Sequence, residues 1–140
     1  MYAYIAGPLY NDGERWFDEL IEHCACENML STYLPHRDLG ILSCPEDSAY
    51  IFTGDLEHLQ KADVVIANLN GMTTDAGTAW EIGYAYARGK HIIGVYTDER
   101  MHVKNSEINL MIANSLHILV KSLQELDKYL QKYVSLNGSG

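Results

Sequence analysis

Positive charge is scarce in this sequence. Its 140 residues include 10 Lys and Arg against 19 Asp and Glu, which gives a formal net charge of −9. Proteins whose main partner is DNA, RNA or an anionic membrane surface present a basic footprint, so the composition argues against all three. The acidic balance is also a weaker argument against a heavily phosphorylated ligand.

Long apolar runs and a cysteine framework are missing as well. No stretch approaches the roughly eighteen apolar residues of a membrane span. The opening segment MYAYIAGPLY lacks the basic region and apolar stretch of a signal peptide. The three cysteines, Cys24, Cys26 and Cys44, are odd in number and have no strong zinc spacing, which favours free thiols in a reducing compartment. We therefore expect a cytoplasmic protein.

Strand-like and helix-like segments alternate along the chain. Strands are predicted at 2–6, 32–34, 63–69, 91–97 and 116–120. Helices are predicted at 14–28, 47–62, 75–90 and 122–134, with a polar loop at 36–47 and a short segment at 107–112. This order predicts one α/β domain, a Rossmann-like or flavodoxin-like doubly wound sheet of about five mostly parallel strands with helices on both faces. The domain should cover 1–134, followed by a flexible tail at 135–140.

The predicted topology also indicates where a ligand would bind. In open sheets of this kind the crevice lies outside the carboxyl ends of the strands, where the strand order reverses. The loops that begin at Gly7 and Asn70 should therefore frame the site. The first strand is not followed by a GxGxxG pattern, so a dinucleotide site is not supported and no cofactor is expected.

Glu81 is an isolated acid in an apolar helix. A structural Glu usually has a partner three or four residues away, whereas the nearest cation in helical register here is Arg88, two turns on. A buried, unpaired carboxylate costs several kcal/mol or gives up its charge, and such a cost is kept mostly at functional sites. Its helical neighbours are small or aromatic: Gly77, Thr78, Tyr84 and Ala85.

Two aspartates are further candidates. Asp55 lies within or beside the apolar stripe of its helix; the alternative is a border position, exposed to water through the preceding Gly54. Asp75 stands just before the helix of Glu81, where an N-cap role and a ligand role are compatible. Gly77 leaves room for a ligand at that helix N-terminus, so Gly77 and Gly7 are predicted to contact the substrate.

Two separated carboxylates in one cleft suggest glycosyl chemistry. One acid protonates the leaving group while the other stabilises or captures the sugar cation. The six histidines are scattered, and none pairs with a serine or cysteine nucleophile in an elbow-like turn. The sequence contains no clear cluster of metal ligands, so no metal site is expected.

Five segments resemble the nucleoside 2-deoxyribosyltransferase family, in the right order and spacing over residues 2 to about 120. Each segment alone is a weak signal, but five in sequence are strong. They are Tyr4-Ile5-Ala6-Gly7-Pro8, Asp55-Leu56, the run ADVVIANL at 62–69, the run DAGTAWEIG at 75–83, and Asn109-Leu110-Met111.

The resemblance implies roles for individual residues. Glu81 matches the family's nucleophile, which attacks C1′ of the 2-deoxyribose and holds the sugar as a covalent ester. Tyr4 matches the tyrosine that orients that carboxylate. Asp55 matches the acid that protonates the departing base and later deprotonates the incoming one. Asp75 matches a residue that binds the region of the sugar's 5′-hydroxyl.

The resemblance further implies an assembly and a substrate class. Asn109 and Met111 match residues that reach into a neighbouring subunit's site, which implies a homo-oligomer, a dimer or a hexamer built from dimers, with shared active sites. The implied partners are small-molecule 2′-deoxynucleosides and free nucleobases, without nucleic acid or membrane. The implied function is exchange of the nucleobase of a 2′-deoxyribonucleoside, with hydrolysis as a side reaction.

Two other functions stay open at this point. A 2′-deoxynucleoside 5′-monophosphate N-glycosidase would share the fold, the nucleophile and the helical aspartate. The loop Gly7-Pro8-Leu9-Tyr10 offers no cation for a phosphate, however, and Asp75 would repel one. A non-catalytic nucleotide-sensing module is disfavoured because Tyr4, Asp55 and Glu81 are present together. The sequence does not indicate the base preference.

Overall fold

The strands form one parallel sheet. The structure, a computed structural model, describes residues 1–100 and 108–138. The sheet has the order β2-β1-β3-β4-β5, with every neighbouring pair parallel. This is the flavodoxin-like order, so the predicted fold class is confirmed. The strands are β1 (Tyr2–Ala6), β2 (Ser31–Tyr33), β3 (Val64–Asn68), β4 (His91–Val95) and β5 (Ile118–Val120).

The helices follow the predicted alternation, with differences at their ends. They are α1 (Asp12–Glu27), α2 (Pro35–Asp38), α3 (Ser48–Lys61), α4 (Ala76–Ala87), α5 (Leu110–Ala113) and α6 (Leu123–Asn137). The predicted loop 36–47 contains most of α2 and a 3₁₀ turn at Pro45–Asp47. Both begin at a proline, whose fixed φ suits a first helical position. Helix α6 runs three residues beyond the expected boundary at 134, and the predicted segment 107–112 begins outside the described residues.

Side-chain caps define where three of the long helices start. The oxygens of Asn11, Asp75 and Ser122 each accept a hydrogen bond from the backbone N–H three residues later, at 2.9 to 3.0 Å. Such a cap satisfies a donor that the helix cannot, and its loss costs about 1 kcal/mol. Asp75 is therefore an N-cap, as predicted, and it orients the first turn of α4 toward the end of the sheet.

Two apolar layers enclose the sheet. One face is covered by α1 and α6, which contribute Ile21, Ala25, Leu126 and Leu130. On the other face α3 and α4 contribute Leu59, Ile82 and Ala85. All of β3 is buried, as expected for a central parallel strand. None of the helices in the described part of the chain is both long enough and apolar enough to cross a lipid bilayer.

The strand order reverses between β1 and β3. Helix α1 follows β1 on one face, and α4 follows β3 on the other, so the chain diverges at this point and leaves a crevice beyond the carboxyl ends of both strands. The loops after Ala6 and Asn68 border that crevice. This is the position predicted from the sequence.

Candidate active site

Glu81 and Tyr4 meet at the crevice. Tyr4 belongs to β1 and is fully buried, and Glu81 belongs to the second turn of α4. The Tyr4 hydroxyl forms no hydrogen bond of regular geometry within the described residues. It nevertheless lies close enough to the Glu81 carboxyl for the two groups to affect each other's pKa. Hydrogen bonds of catalytic groups are often loose before substrate binds.

The surroundings of Glu81 favour its neutral form. Burial is the largest influence and raises the pKa of Glu81 to about 8; the Tyr4 hydroxyl acts in the opposite direction, and the negative charges of Asp55, Asp75 and Asp18 raise it further. No Arg or Lys of the described residues is among the main influences. The carboxyl lies deep in the protein, while the residue as a whole keeps partial exposure to solvent.

Asp55 is the second carboxyl of the site. It projects from α3, and its Oδ1 accepts a hydrogen bond from the hydroxyl of Tyr33 at 2.8 Å. Burial raises the pKa of Asp55, while the Tyr33 hydrogen bond and the nearby His58 lower it. The electrostatic influence of Asp55 on Glu81 shows that α3 and α4 bring the two acids into one cluster. Two neighbouring carboxyls whose pKa values are both raised by burial are the pattern of an acid–base pair.

Asp75 completes the cluster at the N-terminus of α4. Its Oδ2 accepts from the backbone N–H and the hydroxyl of Thr78, at 3.0 and 3.1 Å. A Cβ at Gly77 would lie 3.2 Å from the same oxygen, so the glycine leaves this carboxylate accessible. The highly exposed Tyr10 lies beside Asp75, whose negative charge raises the pKa of that tyrosine.

Asp18 is a site residue that sequence reasoning missed. It projects from α1 and is 1% exposed; its Oδ1 accepts from Asn68 Nδ2 at 2.7 Å, and its Oδ2 has no partner within the described residues. Burial raises the pKa of Asp18 to about 7. Its carboxyl packs against the backbone of Gly7. Its spacing from Ile21 and Ala25 in the sequence could have identified it, because that spacing places Asp18 on the buried face of α1.

Asn109 and Met111 lie just before and on the short helix α5 rather than in the cluster of acids. Asn109 caps the short helix α5 by accepting from Met111 N–H at 2.9 Å, and Met111 is 71% exposed. Both line an open cavity of about 910 Å³ between α4 and α5, with Ile82 and Tyr86. Among residues 1–100 and 108–138, no hydrogen bond or ion pair joins them to Glu81 or Asp55. Their predicted action on a neighbouring subunit's site stays a prediction.

The site is therefore a cluster of acids, and the nearby Arg15 donates to the Leu9 carbonyl of the first loop at 2.8 Å. The structure places Tyr4, Asp55, Asp75 and Glu81 close to one another, with Gly7 and Gly77 in the adjoining loop and helix turn, and their roles in a site stay predictions. No group of three or more His, Cys, Asp or Glu among the described residues is arranged to hold a metal ion. Paired carboxyls with raised pKa values can protonate a leaving group and capture or stabilise a sugar cation.

Comparisons with known proteins agree with this chemistry. The family model described as nucleoside 2-deoxyribosyltransferase matches residues 3–115. The chain is similar to the 2-deoxyribosyltransferase of Bacillus psychrosaccharolyticus (26% identity, TM-score 0.80, 92% of each chain covered). It is also similar to a conserved protein of Enterococcus faecalis V583 (26% identity, TM-score 0.82, 95% of this chain and 98% of that chain).

A more distant likeness shows the fold alone. The CMP N-glycosidase of Clostridium botulinum shares 21% identity, with a TM-score of 0.57 over 97% of this chain and 99% of that chain. No curated protein matches the sequence significantly.

Proposed function

The chain belongs to the nucleoside 2-deoxyribosyltransferase family, and from that premise we propose that it exchanges the nucleobase of a 2′-deoxyribonucleoside, with hydrolysis as a side reaction. The main support for the proposal is that Glu81 on α4 and Asp55 on α3 lie in one cluster of acids, where the strand order of the sheet reverses. Tyr4 supports it, because its buried hydroxyl faces the carboxyl that would act as the nucleophile.

The first half of the reaction releases the base. Asp55 gives its proton to a ring nitrogen of the departing base as the C1′–N bond breaks, and the bonding electrons leave with the base. Positive charge develops on the sugar, and the Glu81 carboxylate stabilises it electrostatically before one of its oxygens bonds to C1′. The products of this half are a free neutral base, an Asp55 carboxylate and a deoxyribosyl ester of Glu81.

The second half runs the same steps backward with a new base. Asp55 accepts the proton of the incoming base, whose nitrogen attacks C1′ as the ester bond to Glu81 breaks. Two inversions at C1′ retain the configuration. Water in place of the base gives free deoxyribose. The apolar surroundings of Glu81 restrict water and so favour transfer over hydrolysis.

For this cycle the two carboxyls must together carry one proton. At the start Glu81 has to be ionised and Asp55 protonated, yet burial favours the neutral form of both. The Tyr4 hydroxyl favours ionised Glu81 by donating toward it. Because the two acids interact, they titrate as a pair, and the active species is the one that carries a single proton.

The charges of the site favour an unphosphorylated substrate. Asp75, Asp18 and Asp55 all act on Glu81 as negative neighbours, and a 5′-phosphate bound near Asp75 would be repelled. The alternative, a 2′-deoxynucleoside 5′-monophosphate N-glycosidase, would need cations where these acids lie. The third function, a nucleotide sensor, would make no use of the Glu81–Tyr4–Asp55 cluster.

The exposed apolar surface beside α5 supports a homo-oligomer. Leu110 and Met111 are 68% and 71% exposed, and Met72 and Tyr86 nearby are also exposed. A contiguous apolar patch of this kind marks an interaction surface. We propose that a second copy of the chain covers it, and that Asn109 and Met111 then act on the neighbouring active site.

Three parallel incubations separate the candidate functions. Purified protein is mixed with 2′-deoxyinosine and adenine, with thymidine and cytosine, or with the 5′-monophosphates of these deoxynucleosides, and the products are separated by chromatography. A new deoxynucleoside supports base exchange. Free base with free deoxyribose alone indicates a hydrolase, and turnover only of the 5′-monophosphate indicates the N-glycosidase. No turnover with any of these substrates would contradict the proposal. Mass spectrometry of briefly exposed, denatured protein should show a deoxyribosyl adduct on Glu81 that Glu81→Gln lacks.

A further inference from the structure

We propose that Tyr33 is a positioning residue for Asp55: its hydroxyl holds Oδ1, so that Oδ2 is the oxygen that gives and takes the proton of the base. The proposal rests on the proposed role of Asp55 in base exchange. It adds a residue to which neither the family resemblance nor the local sequence pattern assigns a role.

Tyr33 lies beside both Tyr4 and Asp55. It is the last residue of β2 and is 2% exposed, and its hydroxyl donates to Asp55 Oδ1 at 2.8 Å. On the neighbouring strand it is paired in register with Tyr4, with ring centroids 5.4 Å apart. Two adjacent buried tyrosines therefore reach toward two carboxyls, Tyr4 toward Glu81 and Tyr33 toward Asp55.

The ring of Tyr33 is held in place by the helix that carries Asp55. His58 follows Asp55 by three residues on α3, and its ring stacks on that of Tyr33 at 3.9 Å with 9° between the planes. The hydroxyl of Tyr2 lies 2.7 Å from His58 Nδ1 and fixes the histidine in turn. Because the ring is stacked and buried, its hydroxyl has one direction in which to donate, and that direction is Asp55.

A fixed donor on one oxygen decides where the proton of Asp55 resides. Burial and the Asp55 carboxylate both raise the pKa of Tyr33, so the phenol stays protonated at working pH and remains a donor. Oδ1 accepts this hydrogen bond whether Asp55 is ionised or neutral. The mobile proton therefore sits on Oδ2. Tyr33 itself exchanges no proton; the transfer runs only between Oδ2 and the nitrogen of the base.

Removing the hydroxyl has two expected consequences. The Asp55 carboxyl can then turn, so either oxygen carries the proton and fewer molecules are aligned for transfer. The ionised form of Asp55 also loses a hydrogen bond that stabilises it, so its pKa rises. A residue that only filled space would produce neither the pH effect nor a selective loss of turnover.

The experiment compares Tyr33→Phe with wild type in the whole 140-residue chain. We expect kcat for base exchange to fall by roughly 10- to 150-fold with KM changed less than about twofold, as for a lost hydrogen bond to a charged group. The profile of kcat/KM against pH should move to higher pH by roughly half a unit or more. Tyr129→Phe is the matched control, since it removes another part-buried hydroxyl contact of 2.8 Å, to His91 at the opposite end of the sheet.

Two further readouts keep the test independent of turnover and of folding. Carboxyl ¹³C NMR reports the pKa of Asp55, which should rise in Tyr33→Phe even if the substrate has been misassigned. If Tyr33→Phe does not fold, a ring-fluorinated tyrosine placed at position 33 keeps the hydroxyl and makes it a stronger donor. That replacement should move the pH profile to lower pH.

The outcomes either support or overturn the role of Tyr33. Unchanged kcat in Tyr33→Phe, a loss that is equal at every pH, or an equal effect of Tyr129→Phe would each overturn it. If wild type exchanges and hydrolyses nothing, the proposed function fails. The Tyr33–Asp55 relationship then stands or falls on the NMR titration alone.

Discussion

Gly7 lies directly against the carboxyl group of Asp18. A Cβ at position 7 would come within 2.7 Å of Asp18 Cγ, a distance that no packed pair of carbon atoms tolerates. The first loop of the site and the buried acid of α1 are therefore fitted to each other, and the glycine is required for close approach rather than for an unusual φ.

Gly7→Ala should destabilise the fold by about 1–3 kcal/mol, because the new methyl group overpacks a buried position. The matched control is Gly83→Ala. Apart from its own helix, no described residue would come within 4 Å of a Cβ at Gly83, inside α4, so there the better helix former should stabilise by up to about 1 kcal/mol. Urea denaturation measures both. Adding Asp18→Ala to Gly7→Ala should recover most of the loss, and simple additivity of the two costs would contradict the contact.

Asp18→Asn should change how stability depends on pH. The pKa of Asp18 is raised from its ordinary value to about 7 in the folded protein, so at pH values between these two the unfolded chain releases a proton that the folded one keeps. Wild-type stability therefore falls as pH rises through this window, by at most about 1.4 kcal/mol per pH unit. The melting temperature of the Asp18→Asn variant, relative to that of wild type, should be higher at pH 8 than at pH 5. A difference in melting temperature that is the same at both pH values would mean that Asp18 is ionised in the folded protein.

Glu81→Gln should lower base exchange by at least about three orders of magnitude, as expected for loss of a nucleophile. The same variant should unfold at a higher temperature than wild type at pH 8, because burial raises the pKa of Glu81 to about 8 and so the ionised form destabilises the fold. Glu81→Ala should also be inactive and folded. Activity near that of wild type in either variant, measured by the chromatographic assay, would refute the assignment of Glu81.

His91 should make the fold sensitive to acid. Its ring stacks on Tyr133, Nε2 contacts the Tyr129 hydroxyl, and burial with the adjacent His117 lowers the pKa of His91 to about 4. As pH falls from about 6.5 toward 4, the unfolded histidine binds a proton before the folded one does, so stability is lost over that window.

The comparison that isolates this effect is wild type against His91→Phe in urea at three pH values, about 7, 5.5 and 4.5, that span the window between the unfolded and folded pKa values. The difference in the free energy of unfolding between wild type and His91→Phe should shrink as pH falls. The exposed His23, replaced by Gln, serves as the reference substitution. An advantage that stays constant with pH would show that His91 is protonated freely in the folded protein.

Met111→Glu should break up the proposed assembly. A charge buried in an apolar interface without a partner is strongly unfavourable, whereas on a free surface it is harmless. Leu136→Glu is the control, because Leu136 is as exposed as Met111, at 71%, but lies on α6. Light scattering after size exclusion reports the mass, and base exchange should fall together with it. A monomeric wild type, or an assembled and fully active Met111→Glu, would contradict a shared site.

Much of the site was predictable because its signals are local. Glu81 lacks any partner within reach along its own helix, and Asp75 occupies a capping position that needs only three residues to define. The near-continuous apolar run of β3 predicts a central parallel strand. These patterns follow from the 3.6-residue period of a helix and the burial of both faces of a sheet, which the order of residues along one segment already determines.

Only the tertiary structure decided the rest. Burial raises the pKa of Asp18. Its carboxyl contacts Gly7 and accepts a hydrogen bond from Asn68, which lies fifty positions away along the chain. Tyr33 reaches Asp55 because β2 pairs with β1 and α3 packs over them, an arrangement that spans 22 positions and three elements. The sequence alone determined the five strands, the long helices and the lone acid of α4, but not α2 or the 3₁₀ turn at Pro45–Asp47. The fold determined that acid's neighbours, because their hydrogen bonds and shared charge depend on distances through space that no local period encodes.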